Sequence, residues 1–125
     1  MTIRSILDII DAVLLSDKER HLDIEVTVAC GADLMSDVLA YSESGLLLLT
    51  GLNKPQTVRT AELSDIKAIA FVRGKVPDTA TIKLADEKDI PLLVTGLSMF
   101  EACGRLYQHG LRGVSTLCIL NARKR

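Results

Sequence analysis

Tryptophan is absent from this 125-residue chain, and Phe and Tyr contribute two residues each, so aromatics make up 3% of it. Such scarcity excludes a surface that stacks bases or sugars. No sign of charge is in excess either: 15 Lys and Arg face 16 Asp and Glu, a net charge of -1. That balance excludes a broad electrostatic grip on nucleic acid or on an anionic membrane. The three cysteines, Cys30, Cys103 and Cys118, form no Cys-x-x-Cys pair, which excludes the common zinc and thioredoxin-type motifs. Each lies in an apolar stretch and reads as a small buried hydrophobe in a reducing cytoplasm. Only two histidines are present, His21 and His109. Far apart and without a carboxylate at ligand spacing, they read as surface residues at segment ends, and no Ser-His-Asp arrangement can be built from them. No uncharged apolar stretch approaches the roughly 18 residues of a membrane span, and Asp8 and Asp11 interrupt what would otherwise resemble a signal peptide.

What is present is apolar: 48% of the residues are hydrophobic. A chain of this length buries roughly two thirds of its unfolded surface, so residues 1–125 are expected to form one domain without disulfide staples. Ile3, Ile6, Leu7, Ile10 and Val13 keep helical spacing, and a short strand and turn are expected over 14–19. Apolar and polar residues alternate from His21 to Cys30, the pattern of a strand with one buried face. Asp33 stands where it would cap a helix carrying Leu34, Met35, Val38 and Leu39 on one face.

Three runs follow that suit strands buried on both faces of a parallel sheet: Leu46-Leu47-Leu48-Leu49, Ile69-Ala70-Phe71-Val72 and Pro91-Leu92-Leu93-Val94. Helical segments are expected over 56–63, 78–88 and 98–109, the last with Met99, Phe100, Cys103, Leu106 and Tyr107 inward and Gly110 as its stop. This alternation predicts an α/β fold with a mainly parallel central sheet, joined by right-handed crossovers and flanked by helices. An internal echo supports it. Leu48-Leu49-Thr50-Gly51-Leu52-Asn53 returns as Leu93-Val94-Thr95-Gly96-Leu97-Ser98. Asn53 precedes Gln56, and Ser98 precedes Glu101, by the spacing of a capping box, and Pro55 suits a first helical turn.

Several stretches together resemble a known family. They are Ala32-Asp33-Leu34-Met35-Ser36-Asp37-Val38-Leu39-Ala40 running on to Leu46-Leu47-Leu48-Leu49-Thr50-Gly51, then Pro55-Gln56-Thr57-Val58-Arg59-Thr60-Ala61, Phe71-Val72-Arg73-Gly74-Lys75-Val76-Pro77 and Met99-Phe100-Glu101-Ala102-Cys103-Gly104-Arg105-Leu106-Tyr107. Over about residues 20–111 the chain is similar to stand-alone DRTGG-domain proteins of anaerobic bacteria and archaea, which are related to HPr kinase. The resemblance implies a fold like the N-terminal domain of HPr kinase/phosphorylase and of the Mur ligases. It also implies a regulatory module, often dimeric, of the kind that accompanies a catalytic domain in some phosphotransacetylases and pyrophosphatases. The literal string Asp-Arg-Thr-Gly-Gly does not occur; Leu52-Asn53-Lys54-Pro55-Gln56 follows the second of these strands.

Kinase chemistry is excluded by the residues. A phosphate loop needs Gly-x-x-x-x-Gly-Lys-Ser/Thr, yet the only Gly-Lys pair is Gly74-Lys75, with Ile69 in place of the first glycine and Val76 after the lysine. The expected role is therefore non-catalytic, with no cofactor. In an open α/β sheet, ligands favour the carboxyl ends of the strands, and helix N-termini there offer free N–H groups. The expected ligand is a small anion such as a nucleotide, with Thr50, Gly51, Asn53, Gln56, Arg59, Arg73, Gly74, Lys75 and Thr95 as candidate contacts. Lys54 adds positive charge there. Asp33 and Asp37 share a helix face and could serve magnesium, but are read as a cap and a surface charge. The module is expected to be a homodimer; the alternative is a ligand-free dimerisation or docking subunit for a metabolic enzyme or signalling partner, with Met35, Leu39 and Tyr107 in its surface and the apolar tail 114–120 pairing within or between subunits. Arg123, Lys124 and Arg125 read as a solvated end.

Overall fold

A computed structural model describes residues 1–114. Six strands form one sheet: β1 (Ala12–Leu14), β2 (Val28–Gly31), β3 (Leu46–Thr50), β4 (Ala68–Phe71), β5 (Leu92–Thr95) and β6 (Arg112–Gly113), in the spatial order β1-β5-β4-β3-β2-β6. Strands β2 to β6 pair in parallel, and β1 alone runs antiparallel, against β5. The mainly parallel α/β sheet expected from the alternation is thus present, and the three apolar runs are its central, neighbouring strands.

Their side chains divide by parity between two cores. Leu47, Leu49, Ala68, Ala70 and Leu93 face one layer, which α1 (Ile3–Ile9) and α5 (Met99–Gln108) cover with Ile3, Ile6, Ala102 and Leu106. Leu46, Leu48, Ile69, Phe71 and Leu92 face the other, covered by α2 (Met35–Tyr41), α3 (Pro55–Leu63) and α4 (Thr79–Glu87). All five β3 residues are buried, which is why the run carries no polar alternation. The small Ala68 and Ala70 admit α1 and α5 on one side, while Ile69 and Phe71 fill the other.

Several boundaries differ from expectation. α1, capped by Thr2 (its side chain accepts from Ser5 N, 3.2 Å), stops at Ile9, because Asp11 takes φ 50° and the next three residues pair with β5. Val13 is therefore a strand residue, and exposed. The alternating segment 21–30 is not one strand. Residues Glu19–Asp23 form a short 3-10 helix, and only Val28–Gly31 joins the sheet. His21, expected at the surface, is 1% exposed within that turn. In α5 the buried stripe is Ala102 and Leu106, with Met99 and Cys103 partly covered, whereas Phe100 and Tyr107 face outward. The helix is rotated relative to the expected stripe because Ala102 is small enough to sit against the sheet.

The caps of α4 and α5 are built by their N-terminal residues: Asp78 accepts from Thr81 N (2.8 Å) and Ser98 from Glu101 N (3.2 Å). The C-terminal ends of α3, α4 and α5 share one geometry. Asp65, Asp89 and Gly110 have positive φ, and the next residue donates back to a carbonyl five positions earlier (Ile66 to Ala61, Ile90 to Ala85, Leu111 to Leu106). Of the tail 114–120, all but Val114 lies outside the described residues, as does the basic end.

Candidate functional site

Because β3, β4 and β5 are adjacent and parallel, their exits Thr50-Gly51, Arg73-Gly74 and Thr95-Gly96 meet on one rim of the sheet. Backbone hydrogen bonds tie them together: Val72 N donates to Thr50 O (3.1 Å), Arg73 N to Leu97 O (2.8 Å) and Gly74 N to Thr95 O (2.8 Å). Arg73 and Gly74 both have positive φ (56° and 65°), and Lys75 N closes the turn onto Val72 O at 3.2 Å. Two successive positive φ values around such a bond are the signature of a type I′ turn, which suits glycine at both central positions. Arg73 occupies a conformation that L side chains rarely adopt.

This turn throws Arg73 and Lys75 back over the β3 exit. A methyl group placed on Gly51 would lie 3.3 Å from Arg73 Nη2, 3.5 Å from Asp33 Oδ1 and 3.7 Å from Lys75 Cδ. Asp33, at the exit of β2, accepts from Gly51 N (2.7 Å) and from the Thr50 hydroxyl (3.1 Å). Among the described residues, Arg73 and Lys75 form no salt bridge, and no side-chain hydrogen bond. The rim thus holds two uncommitted cations and one anchored carboxylate around a bare Cα. Arg73, Gly74 and Lys75 are exposed, so the group opens to solvent.

The remaining candidates divide. Asn53 joins the rim but does not cap α3: its Nδ2 donates to Val76 O (3.0 Å), bracing the turn that carries Arg73 and Lys75. The N-cap position of α3 belongs to Lys54, with no side-chain bond, so the expected capping box of Asn53 and Gln56 does not form. Among α3, α4 and α5, only α3 presents an N-terminus that no side chain caps. Gln56 and Arg59 are exposed on α3. Thr95 is spent on the fold: its hydroxyl donates to Ile10 O (2.6 Å) and accepts from Leu97 N (3.1 Å), and the residue is 1% exposed. Thr50 is as deeply buried and makes the equivalent turn, accepting from Leu52 N (3.1 Å), but its proton goes to Asp33, so it holds that carboxylate from beneath the rim instead of facing a ligand. The amides of Gly51, Leu52, Arg73, Gly74 and Leu97 are likewise committed within the fold. Of the helix N-termini expected to offer free N–H groups, those of α4 and α5 are capped by Asp78 and Ser98, and that of α3 has no side-chain cap.

Asp33 was expected to cap α2. The N-cap of that helix is instead Leu34, without a side-chain bond, and Asp33 turns to β3. The signal was local, since Asp33 lies just past β2, but its use depends on the pairing of Gly31 with Leu49. Among the described residues, no group of three His, Cys, Asp or Glu side chains is placed to hold a metal ion, and no helix is long and apolar enough to cross a membrane. Cys30 and Cys103 are half-buried free thiols. Burial is the main cause that raises both above the ordinary value, with Asp37 adding to the effect at Cys30 and Cys30 at Cys103. Cys118 lies outside the described residues.

A second charged cluster lies elsewhere. Asp89, at the end of α4, receives Arg20 through two bonds (2.9 and 2.6 Å), Lys18 at 3.1 Å and His21 Nε2 at 2.9 Å. The hydrogen bonds from Arg20, then His21, then Lys18 hold its carboxyl well below the usual carboxylate range. Every cation here is paired, so this cluster clasps the 3-10 turn to α4.

The DRTGG domain family matches residues 5–109. The chain belongs to that family. The match takes in α1 as well as the region expected from the sequence. Among solved structures, the CBS and DRTGG domains of the regulatory region of Clostridium perfringens pyrophosphatase, complexed with the activator diadenosine tetraphosphate, are similar, with a TM-score of 0.71 and 17% identity. The likeness covers 86% of this chain and 46% of that one, so this DRTGG chain spans less than half of the structure it matches. At that identity what is shared is the fold, an α/β sheet with helices on both faces. No curated protein matches the DRTGG chain in sequence.

Proposed function

We propose that this chain is a non-catalytic regulatory DRTGG module that binds a small anionic ligand, of the nucleotide class, at the rim formed by Gly51, Arg73 and Lys75, with the buried Thr50 supporting it from beneath. The observation that carries the reading is Arg73: a side chain held at φ 56°, where glycine would be free of strain, and projecting a guanidinium against Gly51 beside Lys75. Left-handed backbone at a non-glycine residue costs on the order of 1–2 kcal/mol, so its presence calls for a compensating role, and binding an anion is one that guanidinium chemistry fits. The N-terminus of α3, uncapped by any side chain, adds a favourable dipole. A regulatory role is supported by membership of the family and by the nucleotide-activated regulatory region with the same fold. A non-catalytic one is supported by the missing phosphate loop.

Calorimetric titration of the chain with ATP, ADP and AMP tests the reading. Binding should be saturable and should weaken at least about 10-fold in Arg73→Ala, the loss of one charge-assisted bond. Binding that Arg73→Ala leaves untouched would remove the proposed site.

A second reading, compatible with the first, is a homodimer or a docking unit for a protein partner. Leu34, Leu39 and Tyr41 of the α2 region and Phe100 and Tyr107 of α5 are exposed, and these helices flank β2 from opposite faces of the sheet. Beside them, among the described residues, β6 pairs with two residues of β2. Exposed apolar groups such as these suit a symmetric interface. Met35, by contrast, is buried under α2 and belongs to the core. Light scattering should give twice the chain mass, and Phe100→Asp with Tyr107→Asp should shift it to the monomer. A monomer before mutation would remove this reading.

A further inference from the structure

Glycine at position 51 is not explained by its backbone. Its φ is not positive, unlike that of Gly45, Gly74 and Gly110. Nor does a neighbouring main chain press on it: the atoms a methyl group would meet belong to Arg73, Asp33 and Lys75 side chains. Gly96, the equivalent residue in the echoed sequence, has nothing within 4 Å of that position. What Gly51 contributes is a gap bordered by a guanidinium and a carboxylate, two charges that approach the same point without pairing.

The carboxylate identifies what enters. Asp33 Oδ1 is satisfied by Gly51 N and the Thr50 hydroxyl, while Oδ2 makes no hydrogen bond among the described residues. An ionised carboxylate only accepts. Bare phosphate offers it nothing but more acceptors and a like charge, so Asp33 would repel it. A hydroxyl beside the phosphate reverses the balance, donating to Asp33 as the phosphate engages Arg73 and Lys75. Carboxylates at the strand ends of open α/β sheets recognise ribose hydroxyls in this way. We propose that Asp33 selects ligands in which the anion is carried on a hydroxylated sugar, the ribonucleotide class, through a hydrogen bond accepted from a ribose hydroxyl in the gap above Gly51. The proposal rests on the anion-binding reading of the same rim.

The test compares ATP, 2′,3′-dideoxy-ATP and tripolyphosphate by calorimetry on the wild-type chain and on Asp33→Asn. The amide oxygen of Asn can still accept from Gly51 N and Thr50, so that variant keeps the local fold. In the wild type, ATP should bind about 10- to 100-fold more tightly than its dideoxy analogue, the range for one hydrogen bond to a charged group. In Asp33→Asn that difference should shrink, because a neutral amide that can only donate to the hydroxyl from Nδ2 replaces a charged acceptor, and tripolyphosphate should bind at least as well as before. Equal wild-type affinity for ATP and the dideoxy analogue, with both lost in Arg73→Ala, would overturn the hydroxyl selection and leave the anion site standing. No binding of any of the three would overturn both. Gly51→Ala gives an independent check, because its methyl group meets side-chain atoms of Arg73, Asp33 and Lys75 and no main chain. The thermal melt should be unchanged and ATP binding weakened about 10-fold or more; unchanged ATP binding would overturn the use of the gap.

Discussion

The Nε2 of His21 lies 2.9 Å from Oδ1 of Asp89, a residue 68 positions further along the chain. One partner is sealed in the core and the other collects Arg20 and Lys18 at the surface. Asp89 is held well below the ordinary carboxylate range by the hydrogen bonds from Arg20, His21 and Lys18. Its contribution to stability is therefore present above the unfolded-state value, about 3.9, and is lost as pH falls through the folded one. Lys18 and Arg20 are raised by their bonds to Asp86 and Asp89 and to Asp89 respectively, so both stay charged at and below neutral pH, and what their bonds to Asp89 contribute there lasts only while Asp89 is ionised. Asp89→Asn should melt below the wild type at pH 7, and the gap in melting temperature should shrink as pH drops below about 4. A gap independent of pH between 7 and 2 would contradict the clasp.

The two echoed threonines should respond differently to loss of the hydroxyl. Thr95→Val leaves Ile10 O and Leu97 N without the buried partner they share, and should destabilise by about 1–3 kcal/mol. Thr50→Val removes bonds to Leu52 N and the exposed Asp33. Its cost in urea unfolding should be smaller, and its main effect should be on ligand affinity. Equal losses of stability would show that the two exits are equivalent.

Ser98 caps α5 through Glu101 N. Ser98→Ala should cost about 1 kcal/mol and Ser98→Gly only a few tenths. Asn53→Ala, at the echoed position, removes a brace to Val76 O rather than a cap. Its signature should be faster amide exchange in the turn over residues 73–76, without fraying of α3.

Arg73→Gly separates strain from function. Glycine relieves the left-handed backbone, a gain of on the order of 1 kcal/mol offset in part by its greater unfolded-state entropy. The variant should unfold at an equal or slightly higher urea concentration than Arg73→Ala, and both should lose ligand. A clear loss of stability in Arg73→Gly relative to Arg73→Ala would show that the turn does not need positive φ.

Leu46 to Leu49 and the two runs like it were legible as central strands because burial on both faces suppresses polar residues. Ser98 was legible as a cap because its partner is three residues away. What escaped depends on distant partners. The alternation from His21 to Cys30 reads as a strand, but His21 is drawn inward by Asp89, and the chain turns there instead. Phe100 and Tyr107 look like core aromatics until Ala102 is seen against the sheet. At the candidate rim, Gly51, Arg73, Gly74 and Lys75 were readable from their place after apolar runs. Asp33 was not, because its contact with Gly51 N exists only once β2 and β3 are in register. Thr95 has the same local sequence as Thr50, and only the antiparallel β1, which brings Ile10 O to its hydroxyl, sets the two apart.

Backbone amide chemical shifts followed during titration with ATP test the rim most directly. The largest changes are expected at Asp33, Gly51, Arg73, Gly74 and Lys75, with Asp89 and the outer face of α5 unmoved. Saturating shifts confined to α5 and β6, or no shifts at all, would contradict an anion site at the carboxyl ends of β3 and β4.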